Sequence, residues 1–170
     1  MKLSIVGCPD KERFRPYVKR AMVFYAEQLL TAKMLENIFI KVKFNKNIDD
    51  VYGYASVEER TDLGKARNFL IEMNPKIGGR NILKSLGHEM VHIKQYAYSE
   101  TNDNLTRWKG AHVPEDLDYW SQPWEIEAYG MEGGLFRKFV IQEKLWEVFE
   151  GICNPDDPIE EEPIGWKQYQ

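Results

Sequence analysis

Between Pro75 and Pro114 the chain runs without a proline, and from Asn81 onwards Ile82, Leu86, Met90, Ile93 and Ala97 recur at helical spacing. This run constrains the fold more than any other, because a helix of that length with one apolar stripe must bury the stripe against further elements. At roughly 100° per residue these side chains and Leu83 fall within an arc of about 100°. Within the same helix lie His88-Glu89-Met90-Val91-His92, two of only three histidines in 170 residues. His88 and His92 fall roughly 40° apart on another face, with Glu89 between them and the apolar arc. The cluster therefore edges the core. Gly87, just before it, costs the helix roughly 1 kcal/mol against alanine, and close packing against a neighbouring backbone is the expected reason.

Two histidines four apart on a helix can reach one metal ion. A Zn²⁺ held by two neutral imidazoles and a third ligand keeps a position open for water, and an adjacent carboxylate can take that water's proton as it attacks a carbonyl. The residue types and spacing of HExxH thus point to metal-assisted amide hydrolysis, with His88 and His92 as ligands and Glu89 as general base. Two histidines do not complete such a site. Glu125, Glu127 and His112 compete for the third place. Glu125 and Glu127 lie roughly 200° apart around a helix, so they do not face one ion together. Glu125 is preferred, since a carboxylate from a second helix suits a His₂Glu site. Acids in a helix's first turn also complement its dipole without any metal.

A chain 43% hydrophobic and 13% aromatic can fill the core of one domain, expected over residues 1–153. Net charge is −4, and the small basic group Arg13, Arg15, Lys19 and Arg20 reads as a solvated helix face, so no nucleic-acid partner is expected. Cys8 and Cys153 offer neither a disulfide framework nor CxxC spacing, which fits a reducing cytoplasm. Met1 to Cys8 is too short an apolar stretch for a signal peptide, although Ile5-Val6-Gly7-Cys8 superficially resembles a lipoprotein box, and it reads as a strand. No run approaches the ~18 apolar residues of a membrane span, so a soluble protein is expected.

A helix is expected from about Arg15 to Leu35, with Pro16 in its first turn and Val18, Met22, Tyr25, Leu29 and Met34 buried. Strands are expected at Ile38–Phe44, Val51–Val57 and Asn68–Met73, separated by turn residues at 45–50 and 62–64. After the HExxH helix, Leu105–Tyr119 reads as irregular or a short hairpin, with Trp108-Lys109-Gly110 and Tyr119-Trp120 either lining a cleft or roofing the core. A second helix is expected from Pro123 to about Phe149, through Glu125, Ala128, Leu135, Phe139 and Leu145, with Gly130, Gly133 and Gly134 as candidate bends. Residues 154–170, with Pro155, Pro158 and Pro163 and acids from Asp156 to Glu162, read as a flexible tail.

HEMVH followed, after 31 intervening residues, by a helix opening WEIEAY resembles the gluzincin class of zinc metallopeptidases, whose third ligand is a glutamate on the next helix. The Glu-x-Glu-Ala arrangement is similar to small members of the ImmA/IrrE type, and the HExxH…W-x-G…PWExEAY layout resembles metallopeptidase-like proteins of tailed phages. The resemblance covers residues 80–132 and implies a zincin-like α+β fold: an N-terminal helix and a small, mostly antiparallel sheet packed on the HExxH helix, then a second ligand-bearing helix. It aligns Glu125 with the metal-binding glutamate. It implies one Zn²⁺ per chain, cleavage of a peptide or protein substrate lying along the Val51–Val57 edge, and, for a phage protein, the host cytoplasm. Where such proteins often carry an asparagine or aspartate four residues after the ligand glutamate, this chain has Tyr129. W-x-G also occurs in SprT-like metallopeptidases with a third histidine, which keeps His112 as the alternative. An oxyanion stabiliser is expected, with Tyr119 and Tyr129 the candidates nearest in sequence. The rival expectation is a non-catalytic zincin-fold protein that binds or regulates a partner.

Overall fold

Alternation along residues 38–44 puts Ile38, Ile40, Val42 and Phe44 inside and Lys41 and Lys43 outside, and the computed structural model buries all four apolar side chains. The structure describes residues 1–48 and 50–145. Strand β1 (Lys2–Val6) leads into helices α1 (Arg15–Leu29) and α2 (Ala32–Asn37), then strands β2 (Phe39–Phe44), β3 (Gly53–Arg60) and β4 (Ala66–Met73). Helix α3 (Gly79–Ala97) carries the HExxH residues. A two-strand hairpin, β5 (Arg107–Trp108) and β6 (Ala111–His112), and a single 3₁₀ turn at Tyr119–Ser121 precede helix α4 (Pro123–Glu143). The fold is α+β, with a four-stranded mixed sheet and four α-helices among the described residues.

The sheet runs β1-β2-β4-β3. The expected mostly antiparallel sheet is corrected here: β1–β2 and β2–β4 pair in parallel, and only β3–β4 is antiparallel. The first parallel pair follows from the helical crossover through α1 and α2, which brings the chain back in the same direction. The second follows from burial. In β4, Phe69, Ile71 and Met73 are buried, whereas β3 buries none of its residues, so β4 takes the inner position and β3 the edge. Register shifts between Val57, Glu59 and Arg60 mark that edge as irregular.

The long first helix also divides earlier than its apolar pattern suggests. Leu30 is extended, and Thr31 opens α2 by accepting a hydrogen bond from the Met34 amide at 3.3 Å, a local cap that outcompetes helix continuation. Helices α1 and α3 pack one face of the sheet. Gly87 faces the ring of Tyr25 rather than a neighbouring backbone, and the Tyr25 hydroxyl donates to the Leu83 carbonyl at 2.9 Å.

Helix α4 crosses α3 and packs Phe139 against Phe24 and Tyr25, with ring centroids 5.6 and 5.7 Å apart. It continues through Gly130, Gly133 and Gly134 and ends at Glu143, where Lys144 turns left-handed at φ 53°. The expected extension to Phe149, the boundary at 153 and the tail 154–170 fall outside the described residues. Among those described, one hydrophobic cluster joins the sheet to α1, α3 and α4, and no helix is long and apolar enough to cross a membrane.

Candidate metal centre

Helix α3 buries Ile82, Leu83, Leu86, Met90 and Ile93 against the sheet and α1, which leaves His88 and His92 on the side turned to α4. Helix α4 starts at Pro123, and its first turn is anchored by Trp124, whose ring packs edge-on to Trp108 at 6.5 Å. With Trp124 and Ala128 buried, Glu125 is directed at the two histidines. Its Oε2 lies 3.2 Å from His88 Nε2 and its Oε1 lies 3.4 Å from His92 Nε2. The two Nε2 atoms are 3.1 Å apart. One donor atom from each of the three residues lies within 4.8 Å of the others, and the group could hold a metal ion.

The outward nitrogens explain why the inward ones converge. His88 Nδ1 is 3.1 Å from Glu132 Oε2, and His92 Nδ1 is 2.9 Å from Gln95 Oε1. With acceptors there, each neutral ring carries its proton on Nδ1 and turns the Nε2 lone pair inwards. The Gln95 amide is itself fixed, since its nitrogen donates to the Trp124 carbonyl at 2.9 Å and to Glu127 at 3.1 Å. Lys94 and Lys109 each reach Glu127 at 3.0 Å, so this glutamate ties α4 to α3 and to the hairpin. Tyr119 donates its hydroxyl to Glu125 Oε2 at 2.8 Å.

Burial alone would lower the imidazole of His88, but hydrogen bonds to Glu125 and Glu132 and the charge of Glu89 raise it to about 9. His92 is raised in the same way, mainly by Glu125 against the cost of burial. Burial would raise the carboxyl of Glu125, yet the hydrogen bonds from His88 and His92 hold it well below the usual carboxylate range. Glu89 is 4% exposed, and its Oε2 is buried without a hydrogen-bond partner. Burial pushes its carboxyl up, opposed by the charges of His92 and His88.

These features fit a bound divalent cation. Two Nε2 atoms 3.1 Å apart need a positive charge between them, a proton while His88 is charged below about 9 or a metal ion in the proton's place. The buried carboxylates of Glu89 and Glu125 also call for compensating charge, whereas the half-buried Glu132 is paired with Lys84 at 3.6 Å. Two imidazoles and one carboxylate are nitrogen and oxygen donors of the kind that hold a divalent metal ion.

Of the other candidates, Glu127 points to Lys94, Lys109 and Gln95 and away from the histidines. His112 is exposed in β6, opposite Arg107, outside the cluster. The Lys109-Gly110 turn before it takes positive φ at both residues, 47° and 90°, which suits a two-residue hairpin loop. Tyr129 lies edge-on to His88, with centroids 4.6 Å apart. The support expected at its position comes instead from Glu132. Glu132 and Gln95 were not expected from the sequence, although each carries a signal: Glu132 follows Glu125 by seven residues, two turns along the same face, and Gln95 follows His92 by three.

No protein-family model, curated protein or solved structure significantly matches this chain.

Proposed function

We propose that the chain is a zinc-dependent metallopeptidase of gluzincin type, with His88, His92 and Glu125 holding one Zn²⁺ and Glu89 as general base. The observation that carries this reading is the convergence of both Nε2 atoms and both Glu125 oxygens on one point between α3 and α4. When bound, zinc supplies a Lewis acid that lowers the pKa of a water and polarises the scissile carbonyl.

The protein's own groups do the rest. Glu89 accepts a proton from the attacking water and returns it to the leaving amine. Its unpartnered Oε2 and raised carboxyl suit that exchange, because the group accepts a proton more readily than a solvated glutamate does. Glu132 and Gln95 hold the imidazoles in the tautomer that leaves Nε2 free. Burial and the neighbours Tyr129 and Glu125 raise the phenol of Tyr119, which therefore stays a hydrogen-bond donor. Tyr119 and Tyr129 are the proposed oxyanion donors; Tyr119 serves by exchanging its bond to Glu125 for one to the substrate. An extended polypeptide along the β3 edge would add main-chain hydrogen bonds. A cytoplasmic setting suits the buried, unpaired thiol of Cys8. Metal analysis of the purified chain together with cleavage of an unfolded protein substrate tests the proposal: about one zinc per chain and zinc-dependent proteolysis are expected, and a metal-free, inactive protein after zinc addition contradicts it.

A further inference from the structure

Residues 113–136 contain Glu115, Asp116, Asp118, Glu125, Glu127 and Glu132 and no lysine, arginine or histidine. Within this acidic stretch three aromatic side chains stand open beside the metal centre: Tyr119 at 46%, Trp120 at 44% and Tyr129 at 40% exposure. Rings of this size left open together are a sign of a binding surface. Their centroids are mutually close, with Tyr119–Trp120 at 5.3 Å, Trp120–Tyr129 at 5.1 Å and Tyr119–Tyr129 at 6.4 Å. Tyr119 stands nearly perpendicular to both others, at 82° and 83°, so the three rings do not form a flat stack.

The group is continuous with the candidate metal centre and is held in place. Tyr129 touches the ring of His88, and Tyr119 bonds Glu125. Asp118 accepts hydrogen bonds from the Trp120 and Ser121 amides, which sets the 3₁₀ turn that displays Trp120. Binding here therefore orders little that is not already ordered.

Aromatic faces attract apolar groups and cations alike, and the surrounding charge distinguishes the two. A cation gains from an aromatic ring when it lies within about 6 Å of the centroid, and three centroids this close bring one ammonium or guanidinium within reach of all of them. The acids that the structure places at these rings are Asp118, whose carboxylate accepts from the Trp120 amide at 3.1 Å, and Glu125, which accepts from the Tyr119 hydroxyl at 2.8 Å. Their field favours a positive group and disfavours an acidic one.

We propose that Tyr119, Trp120 and Tyr129 form a subsite for a lysine or arginine side chain of a polypeptide, which fixes where the chain is cut relative to that basic residue. This inference rests on the metallopeptidase reading. Its test uses zinc-loaded protein and acetylated hexapeptides in which lysine, arginine, leucine, phenylalanine, alanine or aspartate occupies each position in turn. At one position kcat/KM for lysine or arginine exceeds that for leucine by about 10-fold. The advantage shrinks as NaCl is raised, and in Trp120→Ala the ratio falls close to one. A preference for leucine or phenylalanine at that position, or no preference, overturns the subsite.

Binding of the same peptides, dye-labelled, to the Glu89→Gln protein is read by fluorescence anisotropy and needs no cleavage. If the parent cuts no peptide but the lysine peptide binds about 10-fold more tightly than the aspartate peptide, and Trp120→Ala removes the difference, the subsite stands and the peptidase reading fails. If peptides are cut without preference, the reading stands and the subsite fails. Equal binding with no cleavage overturns both.

Discussion

Glu132 Oε2 stands 3.1 Å from His88 Nδ1, two turns beyond Glu125 on the same helix. One helix thus supplies a carboxylate to the inner nitrogen of a histidine and another to its outer nitrogen. Outer partners of this kind hold a ligand's tautomer and orientation, and their loss typically costs 10–100-fold in metal affinity. Glu132→Ala is therefore expected to fold and to bind zinc about 10–100-fold more weakly in a competition titration with a chelator. An unchanged affinity shows that Glu132 does not position His88.

The third ligand is settled by comparing three variants. Glu125→Ala is expected to lose stoichiometric zinc, because it removes both oxygens that face the Nε2 atoms. His112→Ala is expected to keep it. Glu127→Ala keeps zinc too, but its affinity falls because the Gln95 amide loses one of the two acceptors that orient it. Zinc retained in Glu125→Ala and lost in His112→Ala contradicts the assignment.

Protons and zinc compete for the same nitrogens. His88 is raised to about 9 in the metal-free fold, so its contribution to stability is complete below the ordinary imidazole value of 6.5 and is lost as pH rises through about 9. Glu125 is lowered, so its contribution is complete above the ordinary 4.5 and is lost as pH falls through its depressed value. The metal-free protein is then best supported between about 4.5 and 6.5 and loses Tm from pH 6.5 to pH 9. Zinc needs neutral imidazoles, so its affinity rises over that same interval and its binding releases protons. Calorimetry in two buffers of different ionisation enthalpy, with Tm scans of both forms, checks both statements. Affinity that falls toward pH 9 without hydroxide precipitation contradicts them.

Gly87 offers a separate test of packing. A Cβ added there would meet the Tyr25 ring at 3.5 Å, an ordinary contact, while alanine is better in a helix by about 1 kcal/mol. Gly87→Ala is expected to raise Tm by a few degrees, read by calorimetry. A marked loss of Tm shows that α1 and α3 cannot absorb the methyl.

The regular elements were legible because their side-chain periods were. Ile82, Leu86, Met90, Ile93 and Ala97 mark α3 and Ile38, Ile40, Val42 and Phe44 mark β2, and all are buried. The roughly 200° offset between Glu125 and Glu127 said only that the two do not share a target, and the preference for Glu125 came from the His₂Glu pattern and the resemblance. What the chain did not reveal depends on placement between elements. That β4 pairs with β2 in parallel follows from which strand is more apolar overall, a comparison across three segments rather than within one. The Glu132–His88 and Gln95–His92 contacts depend on how α4 is rotated against α3, which neither helix encodes by itself. The break at Leu30 was signalled by Thr31, but the apolar pattern through Leu29 and Leu30 masked it.

The central claim is that a metal centre at His88, His92 and Glu125 works through Glu89. Peptide cleavage by Glu89→Gln protein, confirmed to hold one zinc per chain, tests it most directly. Its ligands are intact and only the proton acceptor is gone, so full zinc with cleavage reduced by about 10²–10⁴ is expected. Cleavage at the parent's rate contradicts the account.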